Sequence, residues 1–379
     1  MKEYEISELA DILNGYSFKS KEYVDEGIRV IRITNVQNGK IVDESPVYYE
    51  DKTILDKYKL KENDIVISLT GNVGRVGYVD QKILPAYLNQ RVGCIRCNNN
   101  IVNSKYLYYL FNSNKFENDC IISSNGIAQL NLSTEWLKQY KINIPSLEIQ
   151  KKRLSILEKL DKNIYFKEKQ IKKLDELIKS QFIEMFGILN NEDKYDKVEF
   201  NTVVKDILRG PFGSDLKKSL YVPESNDTYK VYIQINAIDK NENLGDYYIS
   251  KEYFNQKMYK FELNPNDYII TCDGTIGKYI KLSNNMKKGI ISSSLLKITL
   301  DDSKMNEKFF EVLWENYMLP KLTSKIRNAA LQHLPSAKNV GLVQCPLPPI
   351  ELQNRFADIV KQIDKQKFII EKLIKILGT

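Results

Sequence analysis

Apolar residues recur at steps of three and four along two distant stretches of the chain. In residues 144–186, Leu157, Leu160, Ile164, Ile171, Leu174 and Ile178 keep that rhythm, with Lys167 interrupting it. In residues 347–377, Phe356, Ile359, Ile363, Ile370, Leu373 and Leu377 repeat it, with Gln366 as the interruption. Such spacing predicts two long helices with coiled-coil seams. Their openings match: Ile144-Pro145-Ser146-Leu147-Glu148-Ile149-Gln150 against Leu347-Pro348-Pro349-Ile350-Glu351-Leu352-Gln353, 203 residues apart (348 − 145). At ~1.5 Å per residue they would run roughly 50–60 Å and roughly 45 Å, the C-terminal arm being the shorter. An apolar seam does not stay in water, so the helices are expected to pair. Two copies of one unit generate an approximate two-fold axis, which makes the pair antiparallel. The alternative is that each helix packs on its own domain.

Outside these helices the pattern shifts to short β-branched runs broken by glycine turns. Residues 28–36, 64–69 and 88–97 read as strands, Asn38-Gly39 as a tight turn before a strand at 40–42, and residues 53–60 and 104–114 as helical. The plan then repeats. Leu208-Arg209-Gly210-Pro211-Phe212-Gly213 echoes Leu13-Asn14-Gly15-Tyr16-Ser17-Phe18 at an offset of 195 (210 − 15). The strand through Tyr232 echoes the one through Ile31 at about 202, and Asn266 to Lys278 echoes Asn63 to Arg75 at 203 (267 − 64). Gln332 lies 203 after Gln129, which pairs His333 with Leu130. The period is too long for a solenoid. The fold class is therefore α+β, two similar α/β domains (residues 1–146 and 187–349) joined by two long antiparallel coiled-coil helices (147–186 and 350–379), with an internal pseudo-two-fold repeat.

Composition changes this picture little. The 379 residues carry a net charge of +7, which is mildly basic and permits a polyanionic partner without requiring one. Five scattered cysteines suit a reduced, cytoplasmic protein. Cys94 and Cys97 form C-x-x-C but lack a second pair, and His333 is the single histidine, so no zinc site is expected. The charged N-terminus is unlike a signal peptide, and no apolar run approaches the ~20 residues that cross a bilayer.

The search for catalysis fails. One histidine supports no Ser-His or Cys-His pair, and Leu347-Pro348-Pro349-Ile350 lacks the flanking polar and aromatic residues of an amine methyltransferase. Gly274-Thr275-Ile276-Gly277-Lys278 is too short for a phosphate loop and ends at Tyr279, where Ser or Thr is required. Glu50-Asp51-Lys52 is a nuclease-like triplet of a kind common by chance.

What remains is a set of polar, glycine-bearing loops in each block. Cations suit guanine edges and phosphates, and amides suit adenine. In the first block the candidate DNA contacts are Tyr16, Lys19, Lys21, Thr70, Asn72, Arg75, Ser124, Asn125 and Gln129. In the second they are Lys217, Lys218, Asp273, Thr275, Lys278, Lys325, Arg327, Gln332 and His333. Two unlike readers held apart by long helices suit a split duplex site, whose halves on one face lie ~34–36 Å apart. The first helix also carries a basic face, Lys151, Lys152, Arg153, Lys159, Lys162, Lys169, Lys172 and Lys173, open to solvent, a partner or phosphate.

Together the loops Gly15-Tyr16-Ser17-Phe18 and Gly210-Pro211-Phe212-Gly213-Ser214, the turns Leu69-Thr70-Gly71-Asn72-Val73-Gly74 and Cys272-Asp273-Gly274-Thr275-Ile276-Gly277-Lys278, the Gln129 and Gln332 loops and both helix starts resemble the specificity subunit of a type I restriction-modification system. The resemblance covers the whole chain. It implies two target-recognition domains reading a bipartite double-stranded DNA site, with the helices as a ruler for the spacer. It implies two methyltransferase subunits that bring S-adenosylmethionine and methylate adenine N6, and restriction subunits that use ATP and Mg. This chain would hold no cofactor or metal, would not be catalytic, and would act as one copy per complex. Other readings are a DNA-recognition module of another modification or phage-defence system, a coiled-coil scaffold that binds no DNA, and a self-sufficient enzyme, which the residues oppose most strongly.

Overall fold

The computed structural model describes residues 1–37, 39–126, 129–188, 194–324 and 333–378. The chain divides into two compact units, Met1–Asn163 and Ile164–Thr379.

The first unit has strands β1 (Lys2–Glu5), β2 (Ala10–Asn14), β3 (Ile28–Ile31), β4 (Tyr48–Tyr49), β5 (Ile65–Ser68), β6 (Val76–Tyr78), β7 (Ala86–Leu88), β8 (Val92–Cys97) and β9 (Lys141–Ile144), with helices α1 (Ser104–Phe111) and α2 (Asn114–Ile122) between the last two. Its main sheet is antiparallel, in the order β2-β8-β5-β6. A second sheet runs β4-β3-β7, with β3 and β7 parallel, and β1 pairs β9. The run 88–97, which reads as one strand in the sequence, is two. Its break at Asn89-Gln90-Arg91 carries the chain from one sheet to the other. Likewise residues 28–36 are a strand, a 3-10 turn at Ile33–Asn35 and a short strand at Val36–Gln37.

The long helix α3 (Leu147–Phe186) begins in the first unit and ends in the second. The second unit then has β10 (Lys197–Glu199), β11 (Val204–Arg209), β12 (Thr228–Tyr232), β13 (Tyr248–Ser250), β14 (Glu262–Leu263), β15 (Tyr268–Thr271), β16 (Tyr279–Lys281), β17 (Gly289–Ile291), β18 (Leu295–Leu300) and β19 (Gln344–Pro346), with helix α4 (Glu307–Leu313) and the C-terminal helix α5 (Ile350–Leu377). Its main sheet, β11-β18-β15-β16, has the order and directions of the first unit's. Its second sheet, β13-β12-β17-β14, again holds a parallel pair, β12 with β17. Register repeats as well. Val92 opposes Ser68, and Leu295 opposes Thr271, each 203 residues later (295 − 92; 271 − 68). The chain is thus two similar α+β domains with two long helices.

Each helix start is latched to its unit by one buried glutamine. Gln150 Nε2 donates to the Pro145 and Ile101 carbonyls (2.9 and 3.2 Å), and its Oε1 accepts from the Asn103 amide (2.8 Å). Gln353 does the same with Pro348 and Lys304 (2.8 and 3.0 Å) and the Asn306 amide (2.9 Å). Further along, Tyr109 donates to Asp161, and Lys308 pairs with Asp364 (3.4 Å), 203 positions on (364 − 161). The start of each helix therefore does pack on its own unit.

Within the second unit the helices also pair. Phe182 and Phe186 at the end of α3 meet Phe356 at the start of α5 (ring centroids 5.5 and 5.4 Å) and Phe309 of α4 (5.4 and 4.9 Å). Earlier on α3, Asp175 meets Lys367, later on α5 (2.6 Å). Position falls along one helix as it rises along the other, so this pair is antiparallel. Burying each phenylalanine contributes ~1.5–3 kcal/mol. The seam on α5 differs from the expected stripe. It runs Phe356, Val360, Ile363, Lys367, Ile370, Ile374 and Leu377, whereas Leu373 is 39% exposed and Ile359 half-buried. The polar break is Lys367, since Gln366 faces outward, and Lys367 stays in the seam because Asp175 takes its charge. On α3, Leu157, Leu160, Ile164, Ile171, Leu174 and Ile178 are half-buried, and Lys167 lies half-buried among them.

Candidate nucleic-acid interface

Three loops meet at one edge of each unit, at the ends of the same four strands. The loop after β2 crosses the β7–β8 connection so closely that a Cβ on Gly15 would lie 2.2 Å from the Asn89 carbonyl oxygen. In the second unit, a Cβ on Gly210 would lie 1.9 Å from the Ser292 oxygen. Only glycine permits either crossing, which is why Gly15 and Gly210 survive between otherwise unlike loops. The turn after β5 is closed by Ser68, whose Oγ accepts from the Arg75 amide (3.1 Å) and donates to the Asn72 carbonyl. Thr271 does the same with Lys278 (3.0 Å) and Thr275. The third loop lies beside this turn: Gly71 donates to Leu130 (2.9 Å) and Leu132 to Leu69 (2.8 Å), while Leu334 donates to Cys272 (2.7 Å). A strand, β16, follows Lys278 where a phosphate loop requires a helix.

The side chains divide unevenly. In the first unit Lys19, Lys21, Asn72, Asn125 and Gln129 are exposed. Lys19 is paired with Glu22 (3.6 Å). Arg75 is half-buried against Glu117 (3.5 Å), and Ser124 Oγ is spent on the Cys120 carbonyl (2.6 Å). Tyr16 packs its ring on Phe18 and Tyr58 (5.0 and 5.3 Å), and Thr70 is half-buried in backbone pairing with Asn131. In the second unit Lys217, Lys218, Thr275 and Lys278 are exposed and make no ion pair among the described residues. Lys325, Arg327 and Gln332 lie outside the described residues. Asp273 accepts both oxygens' bonds from Arg209 Nη2 (3.0 and 3.2 Å) and pairs with His333 Nδ1 (2.7 Å). His333 corresponds to Asn131 rather than Leu130, because Asp273 opposes His333 as Thr70 opposes Asn131.

Three groups here escaped the sequence reading. Arg209, at the end of β11, ties two loops through Asp273 and the Ser293 carbonyl (3.2 Å). Asn89-Gln90-Arg91 and Ser292-Ser293-Ser294 form the crossed connection, with Gln90 and Arg91 exposed. Phe212 is 83% exposed at the rim of a cavity of about 510 Å³ lined also by Arg209, Asp215, Lys260 and Phe261. The signal for Arg91 was a polar triplet inside an apolar run. For Arg209 it was its place just before the repeated glycine.

Among the described residues no thiol is poised for covalent chemistry. Burial pushes the Cys272 thiol up to about 12, as it does Cys97, Cys120 and Cys345, and raises Cys94 well above its ordinary value. Cys94 and Cys97 face opposite sides of β8, into different apolar clusters, and so do not share a metal. Asp51 is taken up by Lys59 (2.7 Å) and the Tyr87 hydroxyl (3.1 Å), and Glu50 by Lys52 (3.1 Å). Among the described residues no helix is long and apolar enough to cross a membrane.

Comparison with known proteins follows the same division. The putative type I restriction enzyme MjaX specificity subunit of Methanocaldococcus jannaschii is 26% identical over 399 residues, covering 99% of this chain and 91% of that one. The type I restriction enzyme MjaVIII specificity subunit of the same organism is 31% identical over 177 residues, 45% of this chain and 41% of that one. A solved structure described as the structural basis of complex assembly and conformational transition of the type I R-M system covers all of this chain and 94% of its own, at 16% identity and a TM-score of 0.60, a likeness of fold. The model of the type I restriction modification DNA specificity domain matches twice, over residues 1–176 and 205–377. The two matches span both units and both helices, and the chain belongs to the type I restriction modification DNA specificity domain family.

Proposed function

We propose that the protein is the sequence-specific DNA-recognition subunit of a cytoplasmic type I restriction-modification complex. Each unit reads one half of a bipartite double-stranded site, and the paired helices set the spacer. One observation carries this reading: the same three-loop edge is built twice on one frame, with unlike side chains on it. A repeated frame with divergent tips is what two different half-sites require. Exposed Lys21, Asn72, Asn125 and Gln129 in one unit, and Lys217, Lys218, Thr275, Lys278 and His333 in the other, are the proposed contacts. Tyr16, Thr70, Arg75 and Ser124 act more by holding the loops than by reaching bases. Asp273 is in the same class. Lys325, Arg327 and Gln332, outside the described residues, keep their proposed role.

The chain itself is not catalytic in this reading. Two methyltransferase subunits supply S-adenosylmethionine and adenine-N6 methylation of a flipped base, and restriction subunits supply ATP- and Mg-dependent cleavage. The test is to express the full chain with type I methyltransferase subunits and sequence the host methylome. A split motif with a fixed gap is expected. Exchanging residues 203–278 for those of another specificity subunit should change one half only. A change in both halves, or methylation without a split motif, overturns the two-reader assignment.

A further inference from the structure

Building on that DNA-reading assignment, we infer that His333 is a specificity-determining residue of the second unit, that it recognises an exocyclic base amine in the major groove, and that Asp273 and Arg209 are its positioning residues. The geometry dictates the polarity. The Asp273 carboxylate accepts two bonds from Arg209 and has no proton to give, so the 2.7 Å contact makes His333 Nδ1 the donor. In the neutral form of the ring that leaves Nε2 as a bare lone pair. That atom does not bond phosphate oxygens, guanine O6 or N7, or thymine O4, all of which are acceptors. The donors in the groove are adenine N6 and cytosine N4.

The ring is placed to reach one. His333 keeps 58% of its side chain exposed, while Asp273 and Arg209 beneath it keep about half as much (29% and 30%). Arg209 is itself fixed at the end of β11 by the Ser293 carbonyl (3.2 Å), so the strand end, the turn and the third loop are tied by a single network. The first unit has Asn14, Thr70 and Asn131 at the equivalent positions. Thr70 and Asn131 pair through backbone alone, and among the described residues no charge fixes a side chain there; Asn131 Nδ2 donates to the Gln129 carbonyl (3.1 Å). An amide at position 131 both donates and accepts, whereas the clamped imidazole only accepts. The two units therefore present different chemistry at one place in a shared frame.

The test uses the full chain in complex with its methyltransferase subunits, and duplexes carrying every single base change in the methylated motif. His333→Ala, on an exposed loop, is expected to lose ~3–10-fold discrimination, the worth of one hydrogen bond, at one base pair of one half-site. Purine for adenine, or 2-pyrimidinone for cytosine, at that position should cost the wild type the same factor and the variant nothing. Asp273→Ala should relax the same base pair, with the double variant no worse than His333→Ala. Asp273→Asn, which keeps an acceptor for Nδ1, should retain discrimination and guards against a folding defect in the alanine variant. A uniform loss of affinity across all duplexes, with a salt slope reduced by ~1, would mean a phosphate contact and overturn the inference. So would an unchanged motif in His333→Ala while the wild type keeps its split site. A wild type with no sequence preference at all would instead sink the DNA-reading assignment, and this inference with it.

Discussion

Replacing Gln353 with methionine removes a polar group from the start of α5 while nearly conserving its volume. Three backbone groups lose their partner: the Pro348 and Lys304 carbonyls and the Asn306 amide. Gln353 is fully buried, so water reaches these groups poorly. At ~1 kcal/mol for each orphaned group, the low end of the usual range, the change costs the second unit ~3 kcal/mol. With a urea dependence of ~2 kcal/mol per molar, the midpoint falls by roughly 1.5 M. Gln150→Met should do the same to the first unit, where the partners are Pro145, Ile101 and Asn103. The chain offers a reporter in each unit, Trp136 in the first and Trp314 in the second. Urea unfolding followed by fluorescence in Trp136→Phe and Trp314→Phe backgrounds separates the two transitions. Gln353→Met should shift the Trp314 transition by more than 1 M and the Trp136 transition by little. Wild-type midpoints in both variants, or equal shifts in both units, would refute the latch argument.

Other outcomes follow from the same geometry. Lys278→Ala should weaken DNA binding and lower the salt slope by ~1. Arg75→Ala should change the slope less, because Glu117 already occupies that guanidinium; equal slopes across a salt series would contradict this. Phe212→Ala should cost DNA affinity ~3–10-fold through lost apolar contact with a base edge such as a thymine methyl and leave the melting temperature unchanged, since the ring is 83% exposed; unchanged affinity removes it from the interface. Burial raises the thiols of Cys94, Cys120, Cys272 and Cys345 well above their ordinary range, so they are protonated at pH 8; iodoacetamide should label these four only after denaturant is added, and rapid labelling of native protein would contradict their burial.

Much of the frame was legible because its signals are local. Proline, the latch glutamine and the three-four apolar steps mark both helix starts. Gly15 and Gly210 repeat because backbone crossings demand them, and Gly71 and Gly274 because their turns need a positive φ (70° and 67°). The seam was misread by one position: Leu373 is as apolar as Ile374, and only the partner helix decides which faces it. Lys367 carries no local signal of its seam position, which depends on Asp175 of the other helix. In the candidate site, cations were legible as cations, but not as free or spent. Arg75 and Lys278 hold equivalent positions, yet the first is paired with a helix residue and the second is not. Arg209 was missed because its role depends on Asp273, 64 residues away, a contact made by tertiary packing alone.

The offset between the two copies also says where the protein tolerates change. It is 195 at Asn14 and Arg209, where these oppose Gly93 and Leu296, and 201 at Arg29 and Lys230, where these oppose Ala86 and Gly289 (209 − 14; 230 − 29). The loop between them is thus six residues longer in the second unit, the largest length difference in the described repeat. That loop carries Phe212, Lys217 and Lys218; it is pinned at Gly210 by the backbone crossing, at Leu216 by burial and at Val222 by the Tyr248 carbonyl (2.9 Å), which leaves 223–227 exposed. Beyond it the offset settles at 203 through the main sheet and both latches, where a register slip would turn every core side chain outward. If length varies because the loop faces a ligand rather than the core, trimming it is a sharp test. Deleting three residues from 223–227, between Val222 and β12, should alter one half of the methylated motif, or abolish its recognition, while the Trp314 unfolding midpoint stays within ~0.5 M of wild type. A large loss of stability with an unchanged motif would place that loop in the core's service and not the reader's.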